Sequence, residues 1–281
     1  MNLKIFVKAL PPFRQLIEER DSFMARLKVM EKRATLAEMR LEKVESTTCY
    51  NHDGMKLYEK NTSFLDDQEF INAYKKGMNS GHHIGRPRGS QTDIHIEWRV
   101  HIACWAAKHA VRLPGDFVEC GVNTGITSLA VCEFTNFNST GKSFLLFDTF
   151  NGIPEDQMSG AEKPIRLKES ADMYSECFAL ALRNFAPYPK AKLIRGKVPD
   201  TLTEVPIDRV SYLHIDMNIA APEVAAMEFF WDKLVTGAVV LLDDYGWQNY
   251  NEQYKAMNKF AAKHNVGIAT LPTGQGLLIK S

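Results

Sequence analysis

The sequence predicts an α/β protein with a mostly parallel seven-stranded sheet, an antiparallel last strand and a long N-terminal helix. From residue 92 onward, short and nearly continuous apolar runs alternate with helical segments, which is typical of strands covered on both faces. Only a tight turn separates the last two runs, so the final strand should be antiparallel. The N-terminal segment instead repeats apolar residues at steps of three and four.

Composition bounds the class of protein. The chain of 281 residues is long enough for one α/β domain and an extension, and its formal net charge of zero gives no bulk attraction to nucleic acid or anionic lipid. Five cysteines without regular spacing argue against a disulfide framework. No apolar run has transmembrane length, and the first residues lack the features of a signal peptide. We therefore expect a cytoplasmic protein with no nucleic-acid partner and no transmembrane segment.

Residues 1–46 form the first predicted region, an N-terminal coiled-coil helix. From Phe13 to Ser46 the chain contains no Gly or Pro, and its apolar seam is held for about four heptads. The narrow seam favours a partner helix, either from another copy, giving a homo-oligomer, or from another protein. Packing of the helix on its own domain is the alternative. The seam residues are Leu16, Arg20, Phe23, Leu27, Met30, Ala34, Ala37, Leu41 and Val44.

Residues 47–91 are predicted to be a linker and cap. Clusters of Gly, Asn, Asp and Pro mark turns, and QEFINAYKKGM predicts one short helix. His82 and His83 are candidate proton acceptors over the site, although most loop histidines are simply solvated. Arg86 and Arg88 either bind a phosphate or carboxylate of the substrate or belong to a solvated turn.

Residues 92–281 form the predicted catalytic domain. Its five parallel strands are DFVEC, SFLLFD, AKLIRG, VSYLHID and GAVVLLDD, and its final pair is VGIATLP and GQGLLIK. The predicted helices are TDIHIEWRVHIACWAAKHAV, TSLAVCEF, ADMYSECFALALRNF, PEVAAMEFFWDKL and NEQYKAMNKFAAKHN. The stretch NGIPEDQMSGAEKPIRLKES is predicted to be a long loop that acts as a lid.

A carboxylate and two glycines follow the first strand of this domain. Ligands of open α/β sheets bind at the carboxyl ends of the strands, and glycine lets the backbone approach them closely. Glu119 beside this turn favours a cation such as the ammonium of S-adenosylmethionine, or is simply a solvated acid in a turn. The predicted cofactor contacts here are Glu119, Gly121, Val122, Asn123, Thr124, Gly125 and Ser128.

The second strand ends in another acid. Asp148, together with Thr149, is placed to contact the ribose of a nucleotide cofactor, a requirement that nicotinamide and adenosyl cofactors share. The alternative is that Asp148 caps a loop or helix. The dinucleotide pattern G-x-G-x-x-G is out of register, since Gly121 is followed by glycine only at Gly125.

Three more carboxylates end the fourth and fifth strands. Asp216, Asp243 and Asp244 can converge because neighbouring parallel strands lie about 4.8 Å apart. Oxygen ligands suit a hard cation such as Mg²⁺, which would fix and acidify a substrate hydroxyl. Asp216 is also a candidate general base and cofactor contact. Without a metal, the three acids would instead bind water, cap a helix or hold the substrate.

Five stretches in this order carry a resemblance: ECGVNTG, LLFDTFNGIP, RGKVPDTL, LHIDMN and VVLLDDYG. Together they resemble class I S-adenosylmethionine-dependent methyltransferases, and in particular the macrocin O-methyltransferase family, over residues 93–280. The resemblance implies a Rossmann-like fold, a divalent metal, a sugar or glycoside hydroxyl as acceptor, and Gly196 and Lys197 near the adenosine. Asn123 departs from the class, in which many members carry a glycine at this position.

Two other functions are compatible with parts of the pattern. A nicotinamide-dependent oxidoreductase would explain Asp148, but the misaligned glycines disfavour it. A non-catalytic scaffold would use the coiled coil for assembly, but acids at four strand ends disfavour it. The sequence therefore predicts a metal-assisted O-methyltransferase that uses S-adenosylmethionine.

Overall fold

The structure is a computed structural model that describes residues 11–46, 48–84 and 92–281. The first ten residues and the predicted ligand-binding residues Arg86 and Arg88 lie outside this range. Helix α1, Pro11–Ser46, corresponds to the predicted N-terminal helix. No helix within the described residues is both long enough and apolar enough to cross a lipid bilayer.

The chain divides into two compact units. The first contains α1, the chain up to Asn51, and Lys56–Asn61; the second contains His52–Met55 and Thr62–Ser281. Strands β1, Thr48–His52, and β2, Met55–Tyr58, pair as a hairpin whose tip belongs to the second unit. The sequence analysis did not predict this hairpin, because its Asn, Asp and Gly residues resemble those of a loop.

The second unit contains a seven-stranded sheet within the described residues. The strand order is β5-β4-β3-β6-β7-β9-β8; β3 to β7 are parallel, and β9 is antiparallel to β7. The predicted fold class is therefore confirmed. The strands are β3, Asp116–Cys120; β4, Phe144–Asp148; β5, Ala191–Arg195; β6, Val210–Ile215; β7, Leu234–Leu242; β8, Ala269–Thr270; and β9, Gly276–Ile279.

Helices accompany this sheet. Helix α2 matches the short helix predicted in the cap, and the predicted helix at residues 171–185 is divided, because α5 ends at Met173 and α6 begins at Phe178. The helices are α2, Gln68–Met78; α3, Glu97–Ala110; α4, Ile126–Phe134; α5, Lys163–Met173; α6, Phe178–Phe185; α7, Ala220–Phe230; and α8, Asn251–Lys263.

Alternation along the strands produces two cores. Phe117 joins a cluster with residues of α3 and α4, whereas Val118 and Cys120 join a cluster with residues of α7 and α8. All three side chains are fully buried. Because a strand places successive side chains on opposite faces, a continuous apolar run satisfies both layers.

The prediction of one long lid loop after β4 is wrong in one respect. Residues 163–170, which were expected to be part of the loop, instead belong to helix α5. Pro164 lies in the first turn of the helix, where a missing N–H costs nothing. Glu162, just before the helix, accepts hydrogen bonds from the backbone N–H groups of Ser159 at 2.8 Å and Ala220 at 2.7 Å. These two bonds tie the segment to the start of α7.

Gly77 sets the distance between α2 and α4. A Cβ at this position would lie 2.2 Å from the backbone oxygen of Ile126, which a side-chain rotation cannot relieve. We expect Gly77→Ala to lower the free energy of unfolding by about 1–3 kcal/mol, although alanine is the better helix former. Urea denaturation measures the change. Gly160→Ala, where a Cβ meets nothing within 4 Å, is the control, and equal stability of the two variants would contradict this packing.

Candidate active site

The turn after β3 needs left-handed backbone at three positions. Gly121, Asn123 and Gly125 have φ values of 91°, 51° and 102°. A Cβ on Gly121 would lie 1.8 Å from the backbone oxygen of Asp216, so glycine alone lets the turn meet the end of β6. Asparagine tolerates the left-handed region better than most residues. Asn123 is therefore compatible with the turn despite its departure from the class pattern.

Asp148 holds this turn in place. The backbone N–H groups of Val122 and Asn123 donate to its Oδ2 at 2.6 and 2.7 Å, and the N–H of Phe150 donates to its Oδ1 at 2.5 Å. Hydrogen bonds to a carboxylate are among the stronger ones in proteins. Asp148 thus caps loops, the role given above as the alternative to ribose binding, and a ribose contact would share the same carboxylate.

A pocket opens at the carboxyl ends of β3, β4 and β6. Residues of the lid segment, including Pro154, Gln157 and Tyr174, form part of its wall. This position is where an open α/β sheet binds its ligand. Of the predicted site residues, the pocket lining contains Glu119, Gly121, Val122, Asn123, Asp148, Thr149, Gly196 and Asp216.

Other predicted cofactor contacts lie beside the pocket rather than in its lining. Thr124 is buried and shares a 2.8 Å hydrogen bond with the hydroxyl of Ser80. Ser128 is fully buried on α4, and Gly125 forms the start of that helix. The Lys197 ammonium donates to both carboxylate oxygens of Asp156, at 2.6 and 2.8 Å. These residues support the walls and the rim of the pocket.

The predicted catalytic histidines are not in the pocket lining. His82 is fully buried, and its Nε2 lies 2.9 Å from the carbonyl oxygen of Thr92. His83 is partly buried. The neighbouring Ile84, rather than either histidine, contributes to the pocket wall. A role for His82 or His83 in proton transfer therefore requires a rearrangement of this segment.

Glu119 presents an unpaired oxygen at the pocket. Its side chain is 2% exposed, and its Oε2 has no hydrogen-bond partner among the described residues. Burial raises the pKa of Glu119, while His214, whose Nδ1 lies 3.5 Å from Oε1, acts in the opposite direction. A buried carboxylate oxygen without a donor is costly, and a cationic ligand would satisfy it.

The predicted acid cluster forms at the ends of β6 and β7. Asp216, Asp243 and Asp244 each place one carboxylate oxygen within 4.8 Å of the others. Burial, followed by repulsion from the neighbouring acids, raises the pKa values of Asp216 and Asp244 well above normal. Burial and Asp216 also raise the pKa of Glu223 to about 8. These buried acids therefore resist ionisation unless positive charge is supplied to them.

Asp243 is the compensated member of the cluster. Its Oδ2 accepts a hydrogen bond from the guanidinium of Arg99 at 3.0 Å, and its Oδ1 accepts one from the amide of Gln275 at 3.0 Å. Burial would raise the pKa of Asp243, but Arg99 and His214 outweigh it and hold the pKa well below its usual range. Asp243 is thus ionised and fixed in position.

Arg99 is anchored from its other side by the hairpin tip. Its Nε and Nη2 donate to the two oxygens of Asp53 at 2.8 and 2.7 Å, and the Asp53 side chain is 6% exposed. The sequence analysis missed Arg99, Asp53 and Gln275. They lie far from Asp243 along the chain and belong to no local motif, so only the folded sheet brings them together.

His214 lies between Glu119 and the acid cluster. It is fully buried, and its Nε2 lies 3.6 Å from Oδ1 of Asp243. Burial alone would lower its pKa, but Asp243 and Glu119 raise it well above normal. His214 is thus a buried histidine within the sheet. It supplies positive charge between two acids that would otherwise repel each other.

The lid segment contributes a buried arginine on the far side of the cluster. Arg166 is 1% exposed, and its guanidinium carbon lies 3.5 Å from the ring centroid of Tyr250. The hydroxyl of Tyr250 donates to Oδ1 of Asn218 at 3.2 Å, and Asn218 also lines the pocket. Arg166, Tyr250 and Asn218 thus form a polar wall that sequence patterns did not single out.

The three acids fit a divalent cation. Oδ2 of Asp244 is buried and has no hydrogen-bond partner among the described residues, and oxygen-only donors suit Mg²⁺ or Mn²⁺. The carboxyls of Asp216 and Asp244 are the least compensated of the three, and a cation would favour their ionised forms. Asp243 can still offer a lone pair, because each carboxylate oxygen accepts more than one bond.

Comparisons with known proteins agree with this geometry. The match to the structure of the O-methyltransferase NovP spans 76% of this chain and 100% of the NovP chain, with 16% sequence identity and a TM-score of 0.62. The match to the calicheamicin methyltransferase CalS11 spans 79% of this chain and 94% of the CalS11 chain, with 16% sequence identity and a TM-score of 0.55. At this level of identity the similarities show the fold alone, a Rossmann-like α/β sheet with an antiparallel last strand.

Sequence comparison gives the family. The model of the macrocin O-methyltransferase family, TylF, matches residues 97–270, more than half of the chain, so the chain belongs to this family. A curated relative from Streptomyces olivaceus, 8-demethyl-8-(2,3-dimethoxy-α-L-rhamnosyl)-tetracenomycin-C 4'-O-methyltransferase, is 26% identical over 140 residues. That match covers 47% of this chain and 54% of the relative, so the chain spans about half the length of the curated relative.

Removing Arg99 should expose its role in compensating buried charge. We expect Arg99→Gln to lower the free energy of unfolding at pH 7 by about 3–5 kcal/mol, because Asp243 and Asp53 lose their buried partner. In the native protein Arg99 lowers the pKa of Asp243, and this stabilises the fold at pH values above the pKa of an unfolded aspartate, about 3.9. The stabilisation is lost as the pH falls from that value through the lower pKa of Asp243 in the folded protein. The cost of the substitution should therefore shrink between pH 7 and pH ~3.

Urea denaturation of both proteins at the two pH values measures this difference. Arg112→Gln, an exposed arginine just after the same helix, is the control and should change stability little at either pH. An equal cost of Arg99→Gln at both pH values would show that Arg99 acts through packing rather than through charge.

Proposed function

We propose that the protein is an S-adenosylmethionine-dependent O-methyltransferase that methylates a hydroxyl group of a sugar or glycoside. The observation that carries this proposal is a single pocket lined by Glu119, the glycine turn and Asp216, with Asp243 and Asp244 clustered beside Asp216 outside the lining. Family membership supports the same reaction class. A fold alone would not, because folds host many chemistries.

The donor would lie across the ends of β3 and β4. Its ammonium group would pair with the free Oε2 of Glu119, and its ribose would lie near Asp148 and Thr149. The backbone at Gly196 would face the adenosine. The glycine turn contributes close backbone approach, since Gly121 presents no side chain to the ligand.

The acceptor hydroxyl would lie at the acid cluster. In the transfer, the hydroxyl oxygen forms a bond to the methyl carbon while the carbon–sulfur bond breaks, leaving a neutral thioether. The hydroxyl proton must leave, and Asp216, which lines the pocket, is the proposed acceptor for it. Alignment of the oxygen with the methyl group would supply much of the acceleration.

Asp216, Asp243 and Asp244 would hold a divalent cation, Mg²⁺ in the first instance. When bound, such a cation lowers the pKa of a hydroxyl that it contacts. The chain's own contribution is to keep the three carboxylates in place. Arg99 and Gln275 fix Asp243, and the turn at Gly121 fixes the end of β6 beside the cofactor.

The acceptor class rests on relatives rather than on the pocket. The Streptomyces olivaceus relative is named for methylation of a rhamnosyl group at an oxygen. A sugar hydroxyl has no strong acidity of its own, so the acid cluster and its cation suit such an acceptor better than they would suit an already acidic one.

The compartment and assembly of the protein are also proposed. All five cysteines are free, which is consistent with a reducing cytoplasm. Helix α1 carries exposed apolar side chains, including Phe23, Met30 and Leu41. Such a surface suits a protein partner, and we propose that α1 joins copies of the chain into a homo-oligomer.

The reaction is tested with the full chain, S-adenosylmethionine carrying a deuterated methyl group, and a panel of sugars, nucleotide sugars and glycosides. Mass spectrometry should detect one labelled methyl group on an acceptor oxygen. Turnover should stop in excess chelator and return with Mg²⁺. Full turnover in chelator would reject the metal, and no transfer to any acceptor together with no binding of the donor would reject the function.

Asp148 provides a test of the cofactor position. We expect Asp148→Ala to weaken S-adenosylhomocysteine binding at least about tenfold, equivalent to about 1.4 kcal/mol, by calorimetry. The 2'-deoxyribose analogue separates its two roles. If Asp148 contacts the ribose, the preference of the native protein for the ribose form should disappear in the variant.

Asp208→Ala is the control for this experiment, because Asp208 is an exposed acid just before β6, at the opposite edge of the sheet. It should bind both ligands like the native protein. A preference for the ribose form that persists in Asp148→Ala would limit Asp148 to its role in holding the turn.

A further inference from the structure

The exposed face of α1 has a heptad register that identifies its partner. Counting the seam in steps of three and four places Phe13, Arg20, Leu27, Ala34 and Leu41 at the first core position of each heptad, a. The second core position, d, holds Leu16, Phe23, Met30 and Ala37. In α1 these large apolar side chains are exposed, at 60% for Leu16, 63% for Phe23 and 66% for Met30.

The charges that flank this seam follow a regular order from residue 26 onward. Arg26, Arg33 and Arg40 occupy the position before each a residue, g, and Glu31 and Glu38 occupy the position after each d residue, e. The side chains of these five residues are exposed, and none makes an ion pair within the described part of the chain. The sequence repeats the Arg-to-Glu spacing of five once more at residues 40 and 45.

This order distinguishes the two directions in which a second helix can lie. In a parallel pair in register, a g residue faces the e residue five positions later on the partner, so Arg26 would face Glu31 and Arg33 would face Glu38, each twice by symmetry. In an antiparallel pair, g residues face g residues and e residues face e residues. That arrangement would oppose arginine to arginine and glutamate to glutamate.

We propose that the partner of α1 is the α1 helix of a second copy of this chain, packed as a parallel, in-register two-stranded coiled coil. This inference rests on the proposed assembly role of α1 and adds the direction, register and number of strands. Of the two directions, only the parallel one places arginine opposite glutamate at the g and e positions.

Arg20 fits two strands rather than more. A polar residue at a single a position favours one register and one oligomer state at some cost in stability. The long arginine stem can lie across a two-stranded seam while its guanidinium reaches water. In α1 the guanidinium of Arg20 already lies 2.6 Å from the carboxylate of Asp21, on the outer side of the seam.

Disulfide trapping tests the direction. The full chain carries Leu16→Cys in a Cys49→Ser background, which removes the one cysteine that is not buried. In the parallel pair the two introduced thiols adjoin and should cross-link rapidly under mild oxidation, whereas in an antiparallel pair they would lie roughly 40 Å apart. Leu41→Cys, near the other end of the seam, should behave in the same way.

Glu18→Cys is the matched control, because residue 18 lies on the side of the helix that faces away from the seam and should not cross-link. Light scattering on the uncross-linked native chain gives its stoichiometry. A monomer would overturn the assembly role of α1 itself. A dimer that cross-links through neither Leu16→Cys nor Leu41→Cys would overturn the direction and leave assembly intact, and a trimer would overturn the strand number.

Charge reversal tests the register. Glu31→Arg combined with Glu38→Arg should weaken dimerisation at least about tenfold, because four attractive pairs become repulsive. Arg26→Glu combined with Arg33→Glu should do the same, and mixing the two variants should restore a dimer. Lys28→Glu combined with Lys32→Glu reverses two charges outside these positions and should leave the dimer intact; equal weakening there would contradict the proposed register.

Discussion

The end of the sheet that forms the pocket depends on how its buried acidic side chains are compensated. Glu119, Asp216, Asp243 and Asp244 lie close together at the ends of β3, β6 and β7, where an unpaired ionised carboxylate costs several kcal/mol. His214 and Arg99 bring positive charge to Glu119 and Asp243. Asp216 and Asp244 receive less compensation from positive charge than Asp243 does, and their pKa values are accordingly raised. The site is therefore built to receive positive charge from a ligand.

The glycine turn fixes the end of β3 against the end of β6, where Asp216 lies. Gly121 allows the backbone after β3 to touch the backbone of Asp216, so the proposed donor and acceptor positions cannot separate without disturbing the sheet. Asp148 fixes the same turn through the backbone N–H groups of Val122 and Asn123. Positioning of this kind is worth as much to a methyl transfer as any single catalytic group, because the reacting atoms must be collinear.

The proposed assembly helix and the pocket lie in different parts of the chain. Helix α1 belongs to one compact unit and the pocket to the other, and the hairpin that follows α1 places its tip residue Asp53 in the second unit. Asp53 holds Arg99, and Arg99 holds Asp243. The chain segment that leaves the proposed oligomerisation helix thus supplies a buried anchor for the acid cluster.

The sequence by itself determined the fold class, the order of the strands along the chain, the glycine turn and the acids at the strand ends. These features are local: a strand, its turn and the acid after it are contiguous, so their spacing is visible in DFVECG, LLFDT and LLDDY. Tertiary structure alone decided the partners of those acids. Arg99 and Gln275 meet Asp243 from two distant segments, and Asp53 holds Arg99 from a third. Glu162 likewise ties the segment before α5 to the start of α7. Contacts between distant segments depend on packing in three dimensions, which no short pattern encodes.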